Sequence, residues 1–205
     1  MVKVKVCGIT SPKDARLAAE AGADAVGLVF FAGSPRRLGV EKARGVADAL
    51  PNRVLKVGVF VDAEPDEVLR IAEGVGLDCA QLHGDEGPEV VAMIREGGLK
   101  VIKALRVRDA GSLGVLEKYE ADLFLLDAWS EKVWGGTGER FHWELAKSLK
   151  GRGNIVVSGG LNPENVREAI RFFEPYGVDA SSSLEDAPGK KNAERVRRFV
   201  SAAKG

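Results

Sequence analysis

Lys3-Val4-Lys5-Val6-Cys7-Gly8-Ile9-Thr10, followed at once by Ser11-Pro12, is the stretch on which the reading of this chain turns. Val2, Val4 and Val6 alternate with Lys3, Lys5 and Cys7, so the valines share one face of a short strand. Cys7 ends that strand on the opposite face. Gly8 permits a sharp turn, Ser11 supplies an N-cap and Pro12 the first helical position, so a helix follows almost immediately. Residues 12–21 carry Ala15, Leu17, Ala18, Ala19 and Ala21, and Gly22 ends the helix. The next run, Ala23–Phe30, is nearly continuous in apolar residues, as suits a parallel strand covered on both faces.

The same strand–helix unit then recurs. Strands are predicted over 53–60, 77–82, 100–105, 122–126, 154–157 and 178–180. Helices are predicted over 40–49, 64–73, 88–96, 110–119 (the weakest), 141–149, 163–173 and 192–203. Eight such units without an interior linker predict an α/β fold, a single-domain (β/α)₈ barrel over 1–205, near the minimal length for that architecture. An open doubly wound sheet is the competitor, but no G-x-G-x-x-G follows the first strand. An Asp recurs where even-numbered strands begin, at Asp24, Asp78, Asp122 and Asp179, a faint internal echo that would put Asp179 at the bottom of the barrel.

Lys plus Arg and Asp plus Glu both number 30, a balance that argues against nucleic acid or an anionic membrane as partner. No apolar run approaches the ~20 residues of a membrane span, and the first residues lack a signal peptide's apolar region. Two cysteines, Cys7 and Cys79, make neither a disulfide framework nor a zinc-finger spacing, so the expected setting is the cytoplasm.

In a barrel of this kind the chemistry lies where strands end. Cys7 is there, read either as a small buried hydrophobe or as a reactive thiol. Cys79 lies inside a strand and reads as core. Asp127 follows Leu125-Leu126 and is either a loop acceptor or a general acid whose pKa burial would raise. Ser158-Gly159-Gly160-Leu161 and Ser181-Ser182-Ser183-Leu184 offer N–H and hydroxyl groups on adjoining loops, where barrels often hold a phosphate. Gly135-Gly136-Thr137-Gly138 could close over the same anion. Arg36, in Ser34-Pro35-Arg36-Arg37, is a solvated arginine or a carboxylate clamp. Gln81-Leu82-His83-Gly84 brings one of only two histidines to a strand exit; His142 reads as structural. Phe31, Trp129 and Trp134 fit a site wall or a subunit contact.

Together, Lys5-Val6-Cys7-Gly8-Ile9-Thr10, Gly27-Leu28-Val29-Phe30, Ser34-Pro35-Arg36, Gln81-Leu82-His83-Gly84, Leu126-Asp127, Gly135–Gly138, Ser158–Leu161 and Val178-Asp179-x-Ser181-Ser182 resemble the phosphoribosylanthranilate isomerases, (β/α)₈ barrels of tryptophan biosynthesis. The resemblance runs from the first strand to the last. It implies an Amadori rearrangement of N-(5-phosphoribosyl)anthranilate without cofactor or metal. Asp127 would be the general acid, Cys7 the general base and Arg36 the holder of the anthranilate carboxylate. Gly136, Thr137, Gly138, Gly159, Gly160, Ser181 and Ser182 would bind the phosphate, with Gln81 and His83 in support. The substrate would be a small phosphorylated molecule, and the enzyme a monomer or homodimer. One departure is Ser183, where the family usually has glycine; a need for positive φ there would make serine costly.

Parity carries one further expectation. If Cys7 faces the barrel mouth, Lys5 faces inward one layer below and needs an acidic partner; Asp179 on the neighbouring strand is the candidate. The Lys5 charge should then lower the Cys7 pKa. Three alternative functions fit less well. A histidine-pathway sugar isomerase would carry Asp at position 7, and indoleglycerol phosphate synthase a longer N-terminal extension. A non-catalytic phosphometabolite-binding barrel would not need both Cys7 and Asp127.

Overall fold

A computed structural model describes residues 1–128 and 143–205. Eight parallel strands close a barrel in sequence order: β1 Lys3–Cys7, β2 Ala25–Val29, β3 Leu55–Phe60, β4 Cys79–Leu82, β5 Lys100–Val107, β6 Leu123–Ala128, β7 Ile155–Val157 and β8 Gly177–Ala180. β1 pairs with both β2 and β8, which removes every open edge. The helices α1 Pro12–Ala21, α2 Val40–Ala47, α3 Pro65–Val75, α4 Pro88–Glu96, α5 Val166–Phe173 and α6 Ala193–Lys204 accompany it.

Local chemistry sets these boundaries. Ser11 Oγ accepts the Asp14 N–H at 3.1 Å, Pro12 opens α1, and Gly22 takes the left-handed conformation that closes it. α3 shows the matching apolar period, burying Val68, Ile71, Ala72 and Val75. The segment predicted as the weakest helix is instead two 3₁₀ turns, Ala110–Leu113 and Leu116–Lys118. Gly111 and Gly114 each cost a helix about 1 kcal/mol, which suffices to tip so short a piece. Trp143–Leu149 is likewise 3₁₀, and the start predicted for it at 141 lies outside the described residues. A two-stranded hairpin after β8, β9 Glu185–Ala187 with β10 Lys190–Lys191, was not expected from the sequence.

The main apolar core lies between the strands and the helices. Alternate residues point the other way and fill the barrel: Val57, Cys79, Ile102, Ala104, Leu125 and Val156 form a separate cluster. Cys79 is thus a core residue, as expected. Cys7, Val29 and Val59, with Phe31 beside them, form a third cluster at the mouth.

The aspartate echo is partly structural. Asp24, Asp78 and Asp122 each accept a backbone N–H from the preceding strand, of Val4, Lys56 and Val101, at 2.8–2.9 Å. Asp179 does not belong to that set. It lies within β8, paired in register with Lys5, and faces the barrel interior.

Candidate active site

Cys7, Arg36, Gln81, His83, Asp127, Gly159, Gly160, Asp179, Ser181 and Ser182 line one cleft at the C-terminal ends of the strands. The space within it, counted together with the solvent at its mouth, is roughly 760 Å³. Lys5 lies beneath it. Gly136, Thr137, Gly138, Trp129, Trp134 and His142 lie outside the described residues. The cleft also takes in Val29, Phe31, Val59 and Val61, an apolar wall suited to a ring.

Cys7 is buried at the end of β1, and a Cβ on Gly27 would come within 2.5 Å of its sulfur, so only glycine leaves the thiol room. Gly8, at φ +75°, makes the turn behind it, and a Cβ there would strike Arg36 Cδ at 2.5 Å. One layer down, Lys5 Nζ donates to Asp179 Oδ1 at 3.1 Å with both side chains buried, the pair expected from parity. Asp179 and Cys7 hold the Lys5 ammonium above its ordinary pKa despite burial. Lys5 lowers the Cys7 pKa, as expected, but it does not set the net direction. Burial pushes the Cys7 pKa up, and this outweighs the lowering by Lys5 and Lys191. Asp179 works in the same direction as burial.

Asp127 lies one residue before the end of β6, on the other side of the mouth. Its Oδ2 lies 3.1 Å from His83 Nε2, and His83 Nδ1 lies 2.8 Å from Gln81 Nε2, a buried chain of three side chains. The β4 exit that carries His83 is itself anchored. Lys103 Nζ donates to Glu86 Oε2 at 2.5 Å and to the Gly84 carbonyl at 2.8 Å, while Glu86 Oε1 accepts the N–H groups of Asp62 and Gly84.

At the exit of β7, Gly159 and Gly160 both have positive φ, +79° and +66°, a loop shape that side-chain-bearing residues rarely adopt. Asn165 Nδ2 braces this loop by donating to the Gly160 carbonyl at 2.9 Å. Ser182–Leu184 is a 3₁₀ turn closed by the Leu184 N–H on the Ser181 carbonyl, so the N–H groups of Ser182 and Ser183 are not used within it. Ser183 is not among the residues with positive φ, so serine is unstrained there. Its hydroxyl donates to the Leu161 carbonyl at 2.5 Å, joining the two loops.

Arg36 is not a solvated arginine. Its Nε and Nη2 donate to both oxygens of Glu185, at 2.7–3.1 Å, and Lys191 Nζ donates to Glu185 Oε1 at 2.7 Å. Burial alone would raise the Glu185 pKa, but Arg36 and Lys191 hold it below the usual carboxylate value. Neither Glu185 nor Lys191 was singled out in the sequence. The Pro188-Gly189 turn between them is the signal that could have found the hairpin.

A closed barrel that gathers a thiol, a carboxylate hydrogen-bonded to an imidazole, and a held guanidinium at one mouth defines a barrel enzyme equipped for proton transfer on a small anionic substrate. The sequence profile of the family described as "PRAI: N-(5'phosphoribosyl)anthranilate (PRA) isomerase" matches residues 4–202, and the chain belongs to that family. The N-(5'-phosphoribosyl)anthranilate isomerase of Rubrobacter xylanophilus is 72% identical over 205 residues, covering 100% of both chains. A phosphoribosyl anthranilate isomerase solved in complex with reduced 1-(o-carboxyphenylamino)-1-deoxyribulose 5-phosphate is 42% identical, with full coverage of both chains and a TM-score of 0.90. The dimeric phosphoribosylanthranilate isomerase of Thermotoga maritima, solved as monomers, is 41% identical with full coverage of both chains and the same TM-score, 0.90. The activity is that of the family: isomerisation of N-(5'-phosphoribosyl)anthranilate in tryptophan biosynthesis.

Proposed function

We propose that Asp127 and Cys7 divide the proton transfers of this isomerisation. Asp127, as the acid, gives its proton to the furanose ring oxygen. The C1–O bond breaks and the nitrogen lone pair forms a cationic Schiff base at C1. Cys7, as thiolate, then takes the C2 proton; the C2–H electron pair becomes the C1–C2 double bond and the C=N pair returns to nitrogen. The resulting enolamine loses its hydroxyl proton and gains one at C1 to give the ketone. Burial disfavours the thiolate in the free site, so a Schiff-base cation formed beside it joins Lys5 and Lys191 in favouring it. Ring opening therefore precedes and assists deprotonation.

Arg36 holds the anthranilate carboxylate. Gly159, Gly160, Ser181 and Ser182 hold the phosphate, together with Gly136, Thr137 and Gly138 of the segment outside the described residues. Gln81 and His83 orient Asp127, and Lys5 with Asp179 tunes Cys7. No step calls for a metal or cofactor. A relative described as dimeric and solved as monomers supports activity as a monomer or a homodimer, and a thiol base suits the reducing cytoplasm.

The observation that carries this reading is the placement of Cys7 and of the His83-bound Asp127 on one cleft. Isomerisation followed by anthranilate fluorescence tests it. Cys7→Ser and Asp127→Asn should each lower kcat by about 10²–10⁴-fold. Near-wild-type kcat in either variant would remove the role assigned to that residue.

A further inference from the structure

We infer that Glu185 and Lys191, on the hairpin that follows β8, are positioning residues that aim Arg36 and so set the preference for a planar carboxylate on the substrate. The inference rests on the reading that Arg36 binds that carboxylate.

A guanidinium has two edges that can grip a carboxylate with paired N–H groups. Glu185 takes the side edge: Nε donates to Oε1 at 2.9 Å and Nη2 to Oε2 at 2.7 Å. Among the described residues, every hydrogen bond of this guanidinium runs through Nε and Nη2. The end edge, Nη1 with the outer N–H of Nη2, is left for a ligand. A planar group held in its own plane by two bonds cannot rotate, so the direction of that edge is fixed before substrate arrives. A carboxylate can then bind without ordering the arginine first.

Lys191 makes this arrangement durable. Its side chain is fully buried and that of Glu185 is 3% exposed. A carboxylate so buried needs more than one partner to stay ionised, and Lys191 Nζ supplies the second at 2.7 Å. Lys191 Nζ also reaches the Ser181 carbonyl at 3.2 Å, and Ser181 Oγ donates to the Cys7 carbonyl at 3.1 Å. The hairpin is tied down beyond this: Thr10 Oγ1 donates to the Gly189 carbonyl at 2.5 Å and Arg195 Nη1 to the Glu185 carbonyl at 2.6 Å. The carboxylate clamp is therefore braced against the same strand ends that carry the thiol.

The test compares two ligands by calorimetry: the reduced product analogue bearing the anthranilate carboxylate, and its counterpart with aniline in place of anthranilate. Glu185→Gln should weaken the carboxylate ligand about tenfold and the aniline ligand by less than about twofold, with KM moving more than kcat. Lys191→Met, which leaves Glu185 with Arg36 as its remaining side-chain partner, should show a smaller loss of the same discrimination. Adding Glu185→Gln to Arg36→Met should cost nothing further. Thermal melting of each variant reports folding separately, and the ratio of the two affinities is insensitive to a uniform structural loss. Unchanged discrimination in Glu185→Gln, or full additivity with Arg36→Met, overturns the positioning role while leaving Arg36 as the clamp. Unchanged discrimination in Arg36→Met itself removes the clamp, and the inference with it.

Discussion

Asp179 Oδ1 accepts a hydrogen bond from Lys5 Nζ at 3.1 Å inside the barrel, one layer below the Cys7 thiol. The two charges act on that thiol with opposite sign: Lys5 lowers its pKa and Asp179 raises it, while burial, the largest influence, raises it. If Cys7 acts as thiolate, kcat/KM climbs with pH as the thiol ionises. Lys5→Met should shift that climb to higher pH, and Asp179→Asn should shift it to lower pH. Both variants should also lose roughly 3–5 kcal/mol of stability, because each leaves one charge buried without its partner. pH–rate profiles with urea unfolding check both statements, and shifts of the same sign in the two variants would contradict the arrangement.

The Gln81–His83–Asp127 chain gives a second expectation. With Gln81 Nε2 donating to His83 Nδ1, the ring proton sits on Nε2 and is donated to Asp127. Gln81 Oε1 is then buried without a partner among the described residues. A half-turn of the amide sets Oε1 against a protonated Nδ1 and turns Nε2 into an acceptor for a protonated Asp127. The chain can thus serve Asp127 as donor or as acceptor, as the proposed acid role requires. His83→Asn should lower kcat by about tenfold or more, since a hydrogen bond to a charged group contributes about 1.5–3 kcal/mol, and should leave KM nearly unchanged. Steady-state kinetics decide it: a rise in KM at constant kcat would place His83 in substrate binding instead.

Where the sequence was legible, the cause was local or periodic. Ser11, Pro12 and Gly22 bound α1 because caps act within a few residues. The Lys5–Asp179 pair followed from strand parity and from the barrel closure that sets β8 beside β1, although its partners lie 174 residues apart. The Arg36–Glu185 pair spans 149 residues and had no such rule behind it. Glu185-Asp186-Ala187 and Lys190-Lys191 show no apolar alternation, so only the Pro188-Gly189 turn hinted at the hairpin, and nothing hinted at its role. The net rise of the Cys7 pKa was not anticipated for a related reason. A neighbouring charge can be read from spacing, whereas the depth of burial at the mouth depends on Val29, Val59 and the turns around them.

Ser183 offers a direct test of loop coupling. Its hydroxyl bonds the Leu161 carbonyl and so ties the β8 exit to the β7 exit, the two loops assigned to phosphate. Ser183→Gly removes this bond and gives the unfolded chain more freedom, for a combined loss of about 1–2 kcal/mol. KM for the phosphorylated substrate should rise several-fold while kcat holds, because Cys7 and Asp127 lie on other strands. An unchanged KM would mean that each loop keeps its shape without the other.

The last expectation concerns acid stability. Asp24 accepts hydrogen bonds from the Val4 N–H at 2.9 Å and Lys3 Nζ at 3.2 Å, and pairs with Lys204 Nζ at 2.8 Å, tying β1 and the end of α6 to the start of β2. Partial burial would raise its pKa, but Lys204, the Val4 N–H and Lys3 together bring it below the ordinary 3.8. Because the folded value is depressed, the stabilisation is fully present above about 3.8 and is lost as pH falls through the folded-state value. Asp24→Asn should therefore cost stability at neutral pH, about 1–2 kcal/mol given the solvent screening of its partly exposed lysine partners. It should also flatten the acid limb of the urea midpoint plotted against pH, so that the two proteins converge below the folded-state pKa. A constant gap between them at every pH would show that Asp24 acts through packing, and that its charge contributes nothing to holding the two ends of the barrel wall together.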